Sequence, residues 1–569
     1  MQVFTIKVFK MFRQSKKDLQ MDMFSNTDSL LTESVKAHYN DKSRWHNIFN
    51  EYVFKRINED IFKDLFSDKM GAPNASIRLL IGMMAVKEGH GWSDSELFEQ
   101  CEYHILVRAA LGLHNLTDKI PAQSTYYLFR RRIHEYQKEN NIDLMKAAFQ
   151  SITAKQSEIF KVNGKSIRMD SKLIGSNIAW CTRYEIIHET VVVFYKSLNK
   201  KAKLRLNKED QLLIESLQHE GAEKVVYRSN REDIQKQLQK LGILIYKLIN
   251  VYKEEDSKQC LLLKQIFSEQ YRVIEDEQIE LRPKEEIQSG SVQSPYDTDC
   301  AYKNKDRQKV KGFSFNVTET CDDNHLNLIT DIQVAPANTP DTEFVIEGIE
   351  GTEKVIGHIP KNAHTDGAFH NPVNREYCKE KELNWYLTGI QGITGRYDLE
   401  MIGENLQVTD TKTGKIIPAE KAINGQWRIQ ISKGYRYFGE NEIDVCNIRK
   451  AIIEMPAKLR NKRNNVEATI FQLCYFTRNN KTRYRGIAKQ KTWASMRCLW
   501  VNLVRIVNFV GGVCLKTSNT LENQAIIRLF TQKCIEVIEM SWIFKFATEQ
   551  VVFVNGKTNF LRFEKKYFL

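Results

Sequence analysis

The stretch KVNGKSIRMDSKLIG, residues 161–175, marks the point at which the sequence changes from helical to strand periodicity. Its glycine at position 164 predicts a turn, and the residues after it predict a short strand that ends at Asp170. Residues 1–155 have helical spacing, and strand patterns return after the polar break at residues 288–299. We therefore predict a multidomain α/β (α+β) protein in which a helical region precedes a domain built on a sheet.

Two more carboxylates are expected beside the end of this strand. The segment KNAHTDGAFHN, residues 361–371, predicts a strand that ends at Asp366, and a later helix, capped by Asn464 or Asn465, carries Glu467 in its first turn. Each acid taken alone is more simply a turn or surface residue. Open α/β sheets place their sites at the carboxyl ends of strands, so two aspartates on neighbouring strands and a glutamate from a packed helix predict one site.

Two insertions interrupt the sheet domain, which we place at residues 156–510. Residues from about 180 to 290 are helical and highly charged. Their apolar seam predicts a packing face within an inserted helical hairpin, with a dimer coiled coil as the alternative: Ile234, Leu238, Leu241, Ile245 and Leu248. Residues from about 391 to 455 predict a small β insertion, in which VTDTKTGKII is the clearest hairpin. The C-terminal residues 511–569 have no assigned role.

The helical region at the front of the chain carries a basic last helix. An apolar helix at residues 77–86 leads through a glycine-rich turn to Ser93 and Glu96, which predict a capping box. The segment QSTYYLFRRRIHEY then predicts a helix with a Ser/Thr cap and three consecutive arginines, Arg130, Arg131 and Arg132. Short helices with a basic, aromatic last member suit DNA docking by a helix-turn-helix, and a plain helical bundle with a solvated basic face suits the same residues equally well.

Composition excludes several classes of protein. The formal net charge is +13, which favours an acidic partner, with nucleic acid first and a membrane surface second. Eleven unclustered cysteines indicate reduced thiols and not a disulfide framework or a zinc site. The N-terminus lacks the features of a signal peptide, and the apolar run at residues 498–515 contains Arg505, so we expect an intracellular protein without a membrane span.

Residues 457–506 hold twelve basic side chains and a single acid, Glu467. A solvated helix residue left unpaired by chance is the simpler interpretation. The alternative is that Glu467, together with Asp170 and Asp366, binds a cation that the surrounding positive charge cannot replace. Two divalent ions roughly 3.5–4 Å apart activate a water or a 3′-hydroxyl and stabilise a leaving oxygen. Carboxylate ligands suit Mg²⁺ or Mn²⁺.

Together these motifs resemble a DDE transposase of a bacterial insertion sequence. The likeness covers most of residues 60–510 and lies in GAPNASIRLLIGMMAVKEGHGWSDSELFEQ, STYYLFRRRI, RMDSKLIGSNIA, NVTETCDDNHLNLITDIQVAPANTPDTEFV, HTDGAFHN and NNVEATIFQL…TRYRG. The resemblance implies an RNase H-like catalytic core with a mixed sheet at residues 156–510, behind a helical DNA-binding region at residues 1–155. It makes Asp170, Asp366 and Glu467 the catalytic metal ligands.

The resemblance also implies DNA contacts near the glutamate. Some related branches carry a Tyr, Arg, Glu, Lys signature, in which Arg463 matches the arginine, but Arg460 and Cys474 stand where the tyrosine and the lysine would be. We therefore expect other basic residues to take over the contact of the lysine: Arg478, Lys481, Arg483 and Arg485.

The function implied by the resemblance is DNA transposition. Such a protein binds the terminal inverted repeats of its element, cleaves the DNA with Mg²⁺ or Mn²⁺, and joins a freed 3′-hydroxyl to target DNA. Its partners are then double-stranded DNA and further copies of itself, as a homodimer or larger assembly on DNA, with no membrane. It would act in the bacterial cytoplasm, at the nucleoid. Two alternatives stay open: a metal-dependent nuclease with the same acids, and a DNA-binding protein whose catalytic core has decayed.

Overall fold

The computed structural model describes residues 12–15, 25–66, 73–274, 278–305, 307–390 and 396–517. The described residues up to Val507 belong to one compact unit, and a second unit begins at Asn508. Most of the predicted C-terminal tail lies outside the described residues. Over the described residues the architecture is mixed α/β, with a central mixed sheet, three smaller sheets and many helices.

Seven α-helices precede the first strand in the described part of the chain, and the predicted capping box of Ser93 and Glu96 is confirmed. The helix that carries the three arginines begins after Ala122, which makes no side-chain cap, so the predicted Ser/Thr cap is wrong. Ser124 and Thr125 instead lie inside its first turn, directly after the extended segment that contains Pro121. The helices are α1 (Glu33–Tyr39), α2 (Trp45–Tyr52), α3 (Ile77–His90), α4 (Asp94–Tyr103), α5 (Ile105–Ala110), α6 (Gln123–Asn140) and α7 (Leu144–Phe160).

The region between the first strand and the rest of the sheet is helical, as predicted for residues 180–290. Four members of the predicted seam are buried in a shared hydrophobic core and Ile234 packs against it, so the seam is a packing face. The sheet begins with β1 (Ser166–Gly175), and the elements that follow it are α8 (Arg183–Ser197), α9 (Lys200–Lys203), α10 (Lys208–Glu220), α11 (Ala222–Arg228), α12 (Arg231–Val251), α13 (Lys258–Gln270), β2 (Tyr271–Val273) and β3 (Ile279–Leu281).

The central sheet then continues with strands that pair on both sides of β1. Strand β5 runs antiparallel to β1, and its other edge is shared by β4 and β6. On the opposite side of β1, β7 and β8 are both parallel to their neighbours. These elements are β4 (Ala301–Lys305), β5 (Gln308–Thr320), β6 (Ile329–Pro336), α14 (Val345–Ile356), β7 (Asn362–Thr365), α15 (Pro372–Glu380) and β8 (Asn384–Leu387).

The predicted β insertion forms two small three-stranded sheets followed by a helix. The hairpin predicted at VTDTKTGKII is confirmed as the pairing of β10 with β11. The elements are β9 (Tyr397–Ile402), β10 (Asn405–Asp410), β11 (Ile416–Pro418), β12 (Glu420–Lys421), β13 (Trp427–Ile431), β14 (Gly434–Phe438) and α16 (Glu440–Glu454). Helices α17 (Ala457–Cys474) and α18 (Ile487–Thr517) follow. Short 3₁₀ turns lie at Thr27–Leu30, Phe54–Arg56, Glu59–Leu65, Lys284–Glu286, Asp341–Phe344 and Gly367–Phe369.

At the candidate site, a strand and a helix have boundaries that differ from the predicted ones. Strand β1 continues five residues past Asp170, because it pairs with β5 as far as Gly175. Helix α17 begins at Ala457, so Glu467 lies in its middle and neither Asn464 nor Asn465 is its cap. Its buried side chains begin only at Val466, after both asparagines. Ahead of them, Lys462 donates to the backbone carbonyl of residue 321 and Arg463 to Asp170, so contacts with the sheet hold the helix before the residues that looked like its start.

The two faces of β1 explain how the sheet positions polar groups. Ile167 and Met169 face a hydrophobic cluster that includes α14. Because side chains alternate along a strand, Arg168 and Asp170 face the opposite side, toward α17. Among the described residues, we find no helix with the length and apolar character that crossing a membrane requires.

Candidate active site

Asp170 and Asp366 belong to adjacent parallel strands. The register of β1 and β7 pairs Arg168 with His364, so Asp170 and Asp366 lie level with each other two residues further on. Asp366 directly follows β7 and accepts a hydrogen bond from the backbone N–H of Ala368 at 2.9 Å, which fixes the turn after the strand. The predicted convergence of these two residues is therefore found in the structure.

Arg463 on α17 joins all three predicted acids. Its Nη2 lies 3.1 Å from Oδ2 of Asp170 and 3.6 Å from Oδ2 of Asp366, and its Nη1 lies 3.9 Å from Oε1 of Glu467. Glu467 is one helical turn beyond Arg463, which brings the two side chains to the same face of α17. Three elements that are distant in sequence thus direct their carboxylates to one guanidinium.

The environment of Asp170 disfavours its charged form. Burial raises the pKa of Asp170, the neighbouring Asp366 raises it further, and the Arg463 guanidinium opposes both effects. The side chain of Asp170 is only 12% exposed, whereas that of Glu467 is 67% exposed. Arg463 is therefore the charge that allows two carboxylates to face each other in a partly buried position.

The donor chemistry of this cluster fits a hard divalent cation. Three carboxylates are the ligands that Mg²⁺ and Mn²⁺ prefer, and a guanidinium already lies between them as a positive charge. The Nε of Arg463 is buried and has no hydrogen-bond partner among the described residues, so the hydrogen-bonding capacity of the guanidinium is not fully used here. As arranged, the described acids, histidines and cysteines include no group of three or more that is close enough to hold a metal. A cation here would replace the guanidinium between the carboxylates.

A buried carboxylate, Glu319 on β5, supports the two elements that carry Asp170 and Glu467. Glu319 has no exposed surface and accepts hydrogen bonds from Arg168 at 2.6 Å, Arg505 at 2.6 Å and Thr469 at 2.8 Å. Arg168 also donates to the backbone carbonyl of residue 462 at 2.9 Å. Strand β1, α17 and α18 are thereby joined directly behind the three acids.

Glu319 is absent from the predicted site, although the sequence contains a signal for it. Phe313, Phe315 and Val317 alternate along β5 toward one face, and Glu319 continues the same alternation. An acid in phase with core-facing residues is expected to be buried and paired. The partners of Glu319 come from distant parts of the chain, and sequence spacing does not reveal them.

The acids line a cleft of about 730 Å³. Lysines of β1 and β4 contribute positive charge to its wall, and α17 contributes Phe471 and Tyr475. The cleft is therefore a mixed surface in which carboxylates, cations and aromatic rings lie together.

The three consecutive arginines of α6 differ in their surroundings. Arg130 pairs with Asp94 at 3.1 Å, and its side chain is 17% exposed. The guanidinium of Arg132 lies 5.5 Å from the centre of the Phe66 ring. Arg131, by contrast, has a side chain that is 67% exposed. The structure therefore gives Arg131 the best access to a partner, and Arg130 a structural ion pair.

The basic residues predicted after Glu467 also separate into two kinds. Three of them donate hydrogen bonds to backbone carbonyls. Lys481 donates to residue 178 at 2.9 Å, Arg483 to residue 91 at 2.8 Å and Arg485 to residue 177 at 2.6 Å. Arg478 is exposed. Arg483 thereby connects the segment after α17 to the turn between α3 and α4.

The helical region at the front of the chain is similar to a known protein family. Residues 33–132 match the family model described as a transposase domain (DUF772). This match extends from α1 into α6, and over these residues it confirms the resemblance to transposases. No curated protein matches the chain. A cryo-EM structure of the piggyBac transposase synaptic complex with hairpin DNA is similar at a TM-score of 0.28 and 8% identity, over 82% of this chain and 74% of that chain. A TM-score this low does not establish a common fold.

Proposed function

We propose that this protein is a DDE transposase of a bacterial insertion sequence. In this proposal it binds the terminal inverted repeats of its element, cleaves the DNA in a metal-dependent reaction and joins the freed 3′-hydroxyl to target DNA. The observation that carries the proposal is the convergence of Asp170, Asp366 and Glu467 on one guanidinium. The transposase-domain match at residues 33–132 supports it independently of these acids.

The proposal assigns the mixed sheet with α17 to an RNase H-like catalytic core, at residues 156–510. Asp170, Asp366 and Glu467 would hold two Mg²⁺ or Mn²⁺ ions, which supply Lewis-acid stabilisation and an activated water or 3′-hydroxyl when bound. The chain's own contribution is a fixed geometry. Asp170 is held by the pairing of β1 with β5, in which it lies opposite Val317, and Asp366 by its turn hydrogen bond. Glu467 is more exposed and reaches the cluster from the face of α17.

Arg463 has a second task in this proposal, which is to bind DNA. A guanidinium forms charge-assisted hydrogen bonds with phosphate oxygens, and Arg463 already lies among the groups that would act on the phosphate. We therefore assign it a contact with the DNA backbone next to the bond that is cleaved. Residues 1–155 are proposed to recognise the element ends, with exposed Arg131 as a contact.

A gel assay with full-length protein tests the proposal. Inverted repeats and a short target duplication flanking the gene identify the end sequence, which is then offered with Mg²⁺ and a plasmid target. Joined products are expected for a transposase. Cleaved ends that are never joined would overturn the proposal in favour of a nuclease, and a mobility shift without cleavage would overturn it in favour of a DNA-binding protein with a decayed core.

A further inference from the structure

Helix α17 presents two aromatic rings to solvent beside the acids. Phe471 lies four residues beyond Glu467, and Tyr475 caps the helix four residues later, so all three lie on one helical face. Phe471 is 69% exposed and Tyr475 is 63% exposed. Their ring centres are 6.3 Å apart in an edge-to-face arrangement, and both rings line the cleft that contains the three acids.

These rings are not needed to pack α17. The buried side chains of the helix are Val466, Thr469, Ile470 and Leu473, and neither ring is among them. The neighbouring Phe476 is different, because the Arg497 guanidinium lies 5.2 Å from its ring centre and supports it. Two large exposed rings at the edge of a cleft therefore have an apolar surface that the described part of the chain leaves uncovered.

The charge of the cleft indicates what covers the rings. Exposed Lys172 and Lys305 line the same cleft, together with Lys303. Lysines beside exposed rings are the combination that binds single-stranded nucleic acid, in which phosphates meet cations and unpaired bases stack on aromatic side chains. In intact duplex DNA, the faces of the bases are stacked on each other and are not available to protein rings. An apolar peptide would cover the rings but would offer no anionic group to the lysines.

We propose that Phe471 and Tyr475 form a stacking surface for unpaired bases of the DNA strand whose phosphate lies at the acids. This inference rests on the proposed function and deepens it, because it assigns the cleft a DNA end whose nucleotides are unpaired.

Binding measured in EDTA separates this inference from the chemistry of the site. The probes are a blunt 30-base-pair duplex and the same duplex with a four-nucleotide unpaired 3′ end that carries 2-aminopurine. We expect the full-length protein to bind the tailed duplex more tightly and to quench the 2-aminopurine fluorescence. Phe471→Ala and Tyr475→Ala should each weaken binding of the tailed duplex by about tenfold, leave the blunt duplex unaffected and reduce the quenching.

The matched controls are Tyr475→Phe, which keeps the ring, and Tyr227→Ala, which removes a ring that is 92% exposed on α11. Both should bind as the unchanged protein does. Equal affinity for the two duplexes, or an equal loss for both in the alanine variants, overturns the stacking surface. If the alanine variants differ from the unchanged protein in oligomeric state when no DNA is present, the rings belong to a protein interface, and the stacking surface is overturned as well.

The two proposals fail in different ways. If the protein joins element ends to target DNA but shows no preference for the tailed duplex, the proposed function stands and the stacking surface is wrong. If the preference and the quenching are found but no end is cleaved with Mg²⁺, the proposed function is wrong. Absence of binding to every DNA probe overturns both.

Discussion

Glu319 on β5 and Arg168 on β1 form a buried ion pair, with 2.6 Å between Oε1 of the glutamate and Nε of the arginine. Arg168 precedes Asp170 by two residues on the same face of its strand, and Thr469, which also contacts Glu319, follows Glu467 by two residues. The position of two candidate catalytic acids is therefore coupled to one carboxylate that does not reach the cleft.

Replacing Glu319 with glutamine is expected to destabilise the protein strongly. The change leaves Arg168 and Arg505 buried against a neutral group, and breaking a buried ion pair in this way costs about 3–5 kcal/mol. The free energy of unfolding in urea measures the loss. Glu158→Gln on α7 is the control, because that side chain is 71% exposed, and its unfolding midpoint should not move. A loss below about 1 kcal/mol for Glu319→Gln would show that the ion pair does not hold the elements together.

Arg463→Gln should make the protein depend on divalent ions for stability. Without the guanidinium, Asp170 and Asp366 face each other uncompensated, at a cost of about 1–4 kcal/mol. We expect the melting temperature of this variant to fall in EDTA and to recover with Mg²⁺ more than that of the unchanged protein. Arg460→Gln, at an exposed position one turn earlier on α17, is the control and should respond to Mg²⁺ as the unchanged protein does. If EDTA and Mg²⁺ affect both variants alike, Arg463 does not hold the place of a cation.

We expect the free energy of unfolding to fall as pH rises, because of the buried carboxyl group of Asp331. Burial raises its pKa to about 6, against the opposing effect of Lys146, whose Nζ lies 2.8 Å from Oδ1. The folded state therefore favours protonated Asp331. Its contribution to stability is complete below the unfolded pKa and is lost as pH rises through about 6, by roughly 3 kcal/mol in total.

The measurement is the difference in unfolding free energy between the unchanged protein and Asp331→Asn at several pH values. This difference should move in favour of the variant by about 2 kcal/mol between pH 4.5 and 7.5. A difference that is constant over this range would contradict the raised pKa.

Replacing two adjacent arginines of α6 with glutamine should affect different properties, DNA binding in one case and stability in the other. Arg131→Gln is expected to lower the slope of log affinity for DNA against log salt by about 1, because one exposed phosphate contact is removed. Arg130→Gln is expected to lower the melting temperature, because Arg130 pairs with Asp94 in a mostly buried position. An unchanged salt slope for Arg131→Gln would exclude this face of α6 from DNA.

The sequence allowed the approach of the two aspartates to be predicted, because each was placed on a strand of the same sheet, although Asp170 lies within β1 and not at its end. It also allowed Glu467 to be singled out by charge. The predicted start of its helix was wrong, because Asn464 and Asn465 have the local character of a cap, whereas the tertiary contacts of Lys462 and Arg463 hold the helix ahead of them. The position of Arg463 among the acids depends on how β1, the end of β7 and α17 pack together. The spacing of residues along the sequence does not reveal this packing.

Cleavage by three isosteric variants tests the central claim most directly. Asp170→Asn, Asp366→Asn and Glu467→Gln keep the shape of each side chain and remove the charge that a divalent ion requires. Each variant should bind end DNA at least as well as the unchanged protein, while cleavage with Mg²⁺ falls by orders of magnitude. Double variants should be no worse than single ones, because one loss already disables the shared site. Near-normal cleavage by folded Glu467→Gln protein would contradict the claim that these three carboxylates form one catalytic site.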